Sequence, residues 1–230
     1  MDVPPRLPGI GLEVVEDHTA TSRPDEGYLR VKRRSFVAKY PGEPAPSAPF
    51  RYDVVERWNQ DAVAVVLHFL RDGRRHVILR SALRVPLAMR PDPLVAPAVG
   101  LPEGAAQGEL WEIPAGLVEA TEKTAEGLVS CVIRETEEEV GLVIGPGVVH
   151  PLGGVLFPTA GVIGECIHLF HAEVDPSGRP EVPHGDGPLE KGARILEVSL
   201  ETALDWCDRG LLPDVKTEIG VRRFARLVAG

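Results

Sequence analysis

Between Thr124 and Gly141 the apolar residues Ala125, Leu128, Val129, Val132, Ile133 and Val140, with Thr136 continuing the row, follow the i, i+3, i+4, i+7 spacing of a helix that buries one side. Thr124 is a suitable N-cap and Gly141 a suitable terminator. On that helix Glu135, Glu138 and Glu139 are related by three and four residues, so they converge on a single patch beside the apolar stripe. Arg134 can brace one of them through its guanidinium fork. Carboxylates crowded on one short surface repel each other unless something positive sits among them. A hard divalent cation held by oxygen ligands suits that role and also suits a diphosphate. The plainer alternative is a solvated acidic helix face. The upstream glycine turn at Gly116, the strand-like segment Glu109–Gly116 that ends there and the arginine weigh against that alternative.

With Gly116 and Glu122 included, these residues resemble the Nudix hydrolase signature, G-x5-E-x7-R-E-U-x-E-E-x-G-U, where U is aliphatic. Gly116 and Glu122 match its first half, and Arg134, Glu135, Glu138, Glu139, Gly141 and Leu142 match its second. Thr136 stands where the pattern has an aliphatic residue, and eleven residues rather than seven separate Glu122 from Arg134. Four added helical residues rotate a helix by roughly 400° and lengthen it by about 6 Å. One added N-terminal turn would therefore keep the stripe nearly in phase. Gly127, a poor helix former, allows a looser loop instead.

The resemblance extends to the flanks. Glu112-Ile-Pro-Ala-Gly116 is similar to the segment preceding the signature in Nudix enzymes that act on ADP-ribose and nucleoside diphosphate sugars. It implies that the Ala115 carbonyl joins Glu135, Glu138 and Glu139 as metal ligands, and that Glu112 contacts the substrate. Glu165, at the head of a strand reading Glu165–Val174, is a further candidate near the substrate. Glu190, with Asp186 behind it, occupies a polar, glycine-rich loop where such enzymes keep the acid that activates water. Arg80 and Arg84 resemble an arginine element that clamps the terminal phosphate or the base. Lys216-Thr217 resembles another short element of this subfamily. For Glu112, Glu190 and the two arginines, an ordinary surface role is the competing reading. Trp111 reads as core.

Elsewhere, Ala62–Phe69 is nearly continuous apolar, as in a buried central strand. A polar turn over residues 71–75 joins it to His76–Arg80, which together read as a hairpin. Residues 91–108, rich in Pro, Ala and Gly, read as an irregular excursion that could be mobile. Ser199 is placed to cap a helix over Leu200–Asp208. A last helix over about 214–228 carries Val221, Phe224, Leu227 and Val228 at helical spacing. His168 and His171, three apart on a strand, face opposite sides, which disfavours a metal pair. Residues 1–58 read as a β-rich N-terminal region, and residues 59–230 as the main domain. By resemblance, that domain is an α/β protein, a Nudix α/β/α sandwich with a mixed sheet, and the N-terminal region builds a homodimer.

The net charge of −9 over 230 residues argues against a nucleic-acid backbone as partner. No apolar run approaches the roughly 20 residues needed to span a bilayer. The first residues lack the basic start and apolar core of a secretion signal. Three widely spaced cysteines resemble neither a disulfide nor a zinc framework. A cytoplasmic protein is expected. The function implied is Mg2+-dependent cleavage, with Mn2+ as a substitute ion, of ADP-ribose or a nucleoside diphosphate sugar to a nucleoside monophosphate and a sugar phosphate. Two alternatives stand beside it: cleavage of another diphosphate, such as a dinucleotide or coenzyme A, and a nucleotide-binding sensor without turnover.

Overall fold

The computed structural model describes residues 3–9, 21–42, 44–90, 100–102, 104–179, 187 and 189–230. Asp186 and most of the proline-rich excursion, residues 91–99 and 103, lie outside the described residues.

Strands β1 (Arg30–Phe36) and β2 (Phe50–Glu56) pair antiparallel in a small sheet of their own. The main sheet is mixed. It contains β3 (Ala62–Arg71), β4 (Arg74–Leu83), β5 (Glu109–Glu112), β6 (Ala115–Leu117), β7 (Val149–Pro151), β8 (Ile167–Glu173) and β9 (Ile195–Ser199). Among the described residues there are four α-helices: α1 (Val85–Ala88), α2 (Ala125–Val140), α3 (Leu200–Asp208) and α4 (Val215–Val228).

Because side chains alternate along a strand, β3 presents two apolar faces. Ala62, Ala64 and Val66 pack in one core with Trp206, Val221 and Phe224 from α3 and α4. Val63, Val65 and Leu67 pack in a second core with Cys131, Val132 and Val140 from α2. The unbroken apolar run in the sequence thus reflects a strand covered on both sides, in an α/β/α arrangement. Each large side chain so buried contributes about 1.5–3 kcal/mol.

The register explains where an opening can form. β3 and β4 are joined by the two-residue turn Asp72-Gly73, both with positive φ, but they pair only over His68–Arg71 and Arg74–Val77. Beyond that the strands part. Arg80–Leu83 of β4 pairs with β5, whereas Ala62–Ala64 of β3 pairs with β6. The chain crosses from one partner to the other at Ile113-Pro114, where the Pro114 carbonyl accepts the Val65 amide at 2.9 Å. The sheet is therefore forked.

Two sequence expectations need correction. Gly116 is not at a turn: it sits in β6, opposite Val63. In the last helix, Val221 and Phe224 are buried, but Leu227 and Val228 are exposed at its end, while Lys216, Thr217 and Gly220 join the buried face.

Candidate active site

Helix α2 begins as the sequence indicates. The Thr124 side chain accepts the Gly127 amide at 3.0 Å, and Gly141 closes the helix in left-handed backbone, with φ 75°. The stretch between Glu122 and Arg134 is thus mostly helical rather than a looser loop. Gly127, expected to weaken the helix, is needed there: a Cβ would come within 2.5 Å of the Glu122 backbone. That close approach lets Arg134 hold Glu122 with two bonds, at 3.0 and 3.1 Å. Arg134 also donates to Glu135 at 2.6 Å and to Glu138 at 3.1 Å. It is the hub of the acidic patch. Its own pKa is raised, chiefly by the Glu122 bond.

Gly116 has a similar reason to be glycine. A Cβ there would overlap the Glu135 carboxylate, 1.7 Å from its carbon, so the bare backbone of β6 makes room for that acid. Burial raises the Glu135 carboxyl, against the opposing pull of Arg134. Glu139, also buried, pairs with Arg80 of β4 and accepts the Ala115 amide at 2.8 Å.

These groups meet in a cavity of about 390 Å³ in the fork of the sheet. Its lining includes Arg80, Arg84, Ala115, Arg134, Glu135, Glu138, Glu139 and Glu190, eight of the residues singled out from the sequence. Leu189 and Glu190 bring in the late loop, and Asn59 and Glu119 also line the cavity without having been anticipated. The oxygen donors fit a hard divalent cation: three helix carboxylates share one polar cavity, and the residue facing Glu135 is the one that lacks a side chain.

Glu112 and Glu165 are placed differently. Glu112 is 2% exposed and does not line the cavity. It supports Arg84, accepting its Nε at 2.8 Å, and also pairs with Lys216. Burial alone would raise its carboxyl, but Lys216 and Arg84 outweigh burial and hold it at about 2. Lys216 in turn lies 2.9 Å from Asp214, whose side chain caps α4. Thr217 accepts the Ile113 amide at 2.9 Å. The Lys216-Thr217 pair thus ties α4 to the strand crossing, a role that needs tertiary structure to see. Glu165 pairs with Arg57, outside the cavity lining.

A second cavity, of about 440 Å³, lies among residues 3–9, Pro102, Trp111 and Leu211. Pro, Leu and Trp residues dominate its lining, and it lacks a carboxylate cluster. Trp111 is buried there, its indole donating to the Pro5 carbonyl at 3.0 Å, in keeping with a core role.

A mixed sheet forked around an acidic helix defines a class of fold, and the comparison with known families gives it a name. The NUDIX domain matches residues 61–215, a span that holds every carboxylate of the cavity. The chain belongs to the NUDIX domain family. It is accordingly a hydrolase of diphosphate anhydrides that acts on a nucleotide derivative, in a family that generally requires a divalent cation. A search of curated proteins returned no match.

Proposed function

We propose that this protein hydrolyses ADP-ribose or a nucleoside diphosphate sugar, releasing a nucleoside monophosphate and a sugar phosphate. The observation that carries the reading is the meeting of both charges in one cavity: Glu135, Glu138, Glu139 and Glu190 line it together with Arg80 and Arg84, and Arg80 pairs with Glu139. An anionic diphosphate needs both. Mg2+, with Mn2+ as substitute, would be held by Glu135, Glu138, Glu139 and the Ala115 carbonyl. When bound, it supplies charge neutralisation and a more acidic water. Arg80 and Arg84 bind the phosphates or the base, with Glu112 and Lys216 holding Arg84 in place behind the cavity wall. Glu190, or a member of the helix cluster, accepts the proton of the attacking water. Arg134 positions Glu135 and Glu138.

The cavity volume lies within the range of about 300–1,000 Å³ common for small-molecule sites. In this reading, residues 59–230 form the catalytic domain and residues 1–58 a homodimerisation region. The exposed apolar side chains Tyr28, Leu29, Phe36, Phe50, Tyr52 and Trp58 support that role. Among the described residues no helix is long and apolar enough to cross a membrane. Unpaired Cys131 and Cys207 suit a cytoplasmic setting.

A panel of nucleoside diphosphate sugars, ADP-ribose, dinucleotides and coenzyme A, assayed with Mg2+ and Mn2+, tests the substrate class. Turnover confined to the last two compounds would overturn it, and binding without turnover would favour a sensor. Glu139→Gln is expected to abolish turnover with the circular dichroism spectrum retained. Because that change also unpairs buried Arg80, the more exposed Glu138→Gln serves as its companion, with an expected loss of about a hundredfold or more. Undiminished turnover in both variants would defeat the metal assignment.

A further inference from the structure

The parallel pairing of β3 with β8 opens at Ala62 opposite Ile167, where the Ala62 amide donates to the Cys166 carbonyl at 3.0 Å and so brings Asp61 alongside Cys166. Alternation then places Asp61 on the face of Val63 and Val65, and Cys166 and His168 on the face of Phe170. Both rows lie on the side of the sheet that α2 covers. Residues distant in sequence meet there. The Asp61 carboxylate accepts the Cys166 amide at 3.1 Å, and Cys166 Sγ lies 3.5 Å from His168 Nε2. A carboxylate oxygen, the thiol sulfur and an imidazole nitrogen all fall within 4.8 Å of one another, at half-buried positions.

We propose that Asp61, Cys166 and His168 form a second cation site, separate from the acidic cavity, for a borderline-soft divalent ion of the zinc type. The donor set selects the ion: thiolate and imidazole suit zinc or cobalt, whereas Mg2+ prefers oxygen ligands. The spacing fits as well. With bonds of about 2.3 Å to sulfur and 2.05 Å to nitrogen, a 3.5 Å separation corresponds to an angle of about 107° at the metal, close to tetrahedral. One carboxylate and one thiolate balance a divalent charge, with the imidazole neutral. Three protein ligands leave a fourth position for water. The bond from the Cys166 amide orients the carboxylate from outside, as ligands to metals commonly require. None of the three residues lines the acidic cavity. Bound there, the ion ties the start of β3 to the start of β8, next to the Arg57–Glu165 pair.

The test is a cobalt titration of the full chain, stripped with a chelator and then supplied with saturating Mg2+ to occupy oxygen-rich sites. A thiolate-to-cobalt charge-transfer band in the near ultraviolet is expected, saturating at one ion per chain and displaced by Zn2+. It should vanish in Cys166→Ser, weaken by at least about tenfold in affinity in His168→Ala, and persist in Glu138→Gln. Circular dichroism checks that each variant is folded, and Zn2+ should raise the Tm of the wild type but not of Cys166→Ser. Absence of the band from the wild type, or its survival in Cys166→Ser, overturns the proposal.

Discussion

Glu112 shows how a residue can sit beside a site without entering it. The sequence reading places it at the substrate, because a strand-end carboxylate next to Pro-Ala-Gly is all that the sequence displays. What sets its role is Lys216, 104 residues away, together with Arg84. With its carboxyl held at about 2 rather than the usual 4.5, the stability it contributes is fully present above pH 4.5 and is lost as pH falls toward 2. Lys216→Met removes one of two cations from a buried anion. It is expected to destabilise the fold by about 3 kcal/mol, read from urea melts, the low end for a broken buried pair because Arg84 remains. By contrast, Glu135, Glu138 and Glu139 were legible, since three- and four-residue spacings on a helix fix a common face whatever surrounds it. Their partners were not: the pairing of Glu139 with Arg80 depends on how two strands of the sheet lie against α2.

Helix α2 was the most legible element, with cap and terminator found where the spacing puts them; its stripe is buried at Val132, Thr136 and Val140 and half-buried at Leu128, Val129 and Ile133, while Ala125 in the first turn is exposed. Its glycines carried a different message. Propensity alone predicts that Gly127→Ala stabilises the helix by about 1 kcal/mol. The 2.5 Å approach of the Glu122 backbone reverses the sign, and a net loss of about 1–3 kcal/mol in chemical denaturation is expected. Gly116→Ala tests the neighbouring element. The added methyl displaces the Glu135 carboxylate, so turnover should fall while the far-ultraviolet dichroism hardly changes. β6 itself escaped the sequence reading because three residues are too few to show alternation, and a glycine directly after Pro-Ala looks like a turn.

At the scale of the whole molecule, the two-faced sheet was foreshadowed by the apolar run of β3, but its fork was not, since pairing partners leave no trace in single-strand patterns. Stability against pH is likewise a property of the assembled fold. His68 of β3 is buried where Arg75 of β4, His171 of β8, His150 of β7 and Phe224 of α4 surround it. Arg75 donates to its Nδ1 at 2.7 Å, which leaves Nε2 to carry the hydrogen toward His171 and no site for a second proton. Burial first, then the positive neighbours, lower its pKa to about 3. The unfolded chain takes up that proton near pH 6.5. Stability is therefore full above 6.5 and drains away as pH falls toward 3, amounting to about 2 kcal/mol at pH 5. His171, lowered in the same direction by burial, adds to the slope. His68→Gln, which can still accept from Arg75, should flatten the dependence of the urea midpoint on pH between 6.5 and 5.

The parting of β3 from β4 has a consequence for how this pocket can change over generations. Its walls include Arg80, Ala82 and Leu83 of β4 and Ala115, Gly116 and Leu117 of β6, and the register of β4, the gauge of which side chains face inward, is set at the tight bend Asp72-Gly73 at the other end of the ribbon. Swapping wall residues leaves that gauge untouched. Adding or removing a single residue in the bend would turn every side chain of β4 over, carrying Arg80 from one surface of the sheet to the other. Diversification of substrates in such a molecule is thus open to replacements along the walls and closed to length changes at a bend that no substrate ever meets.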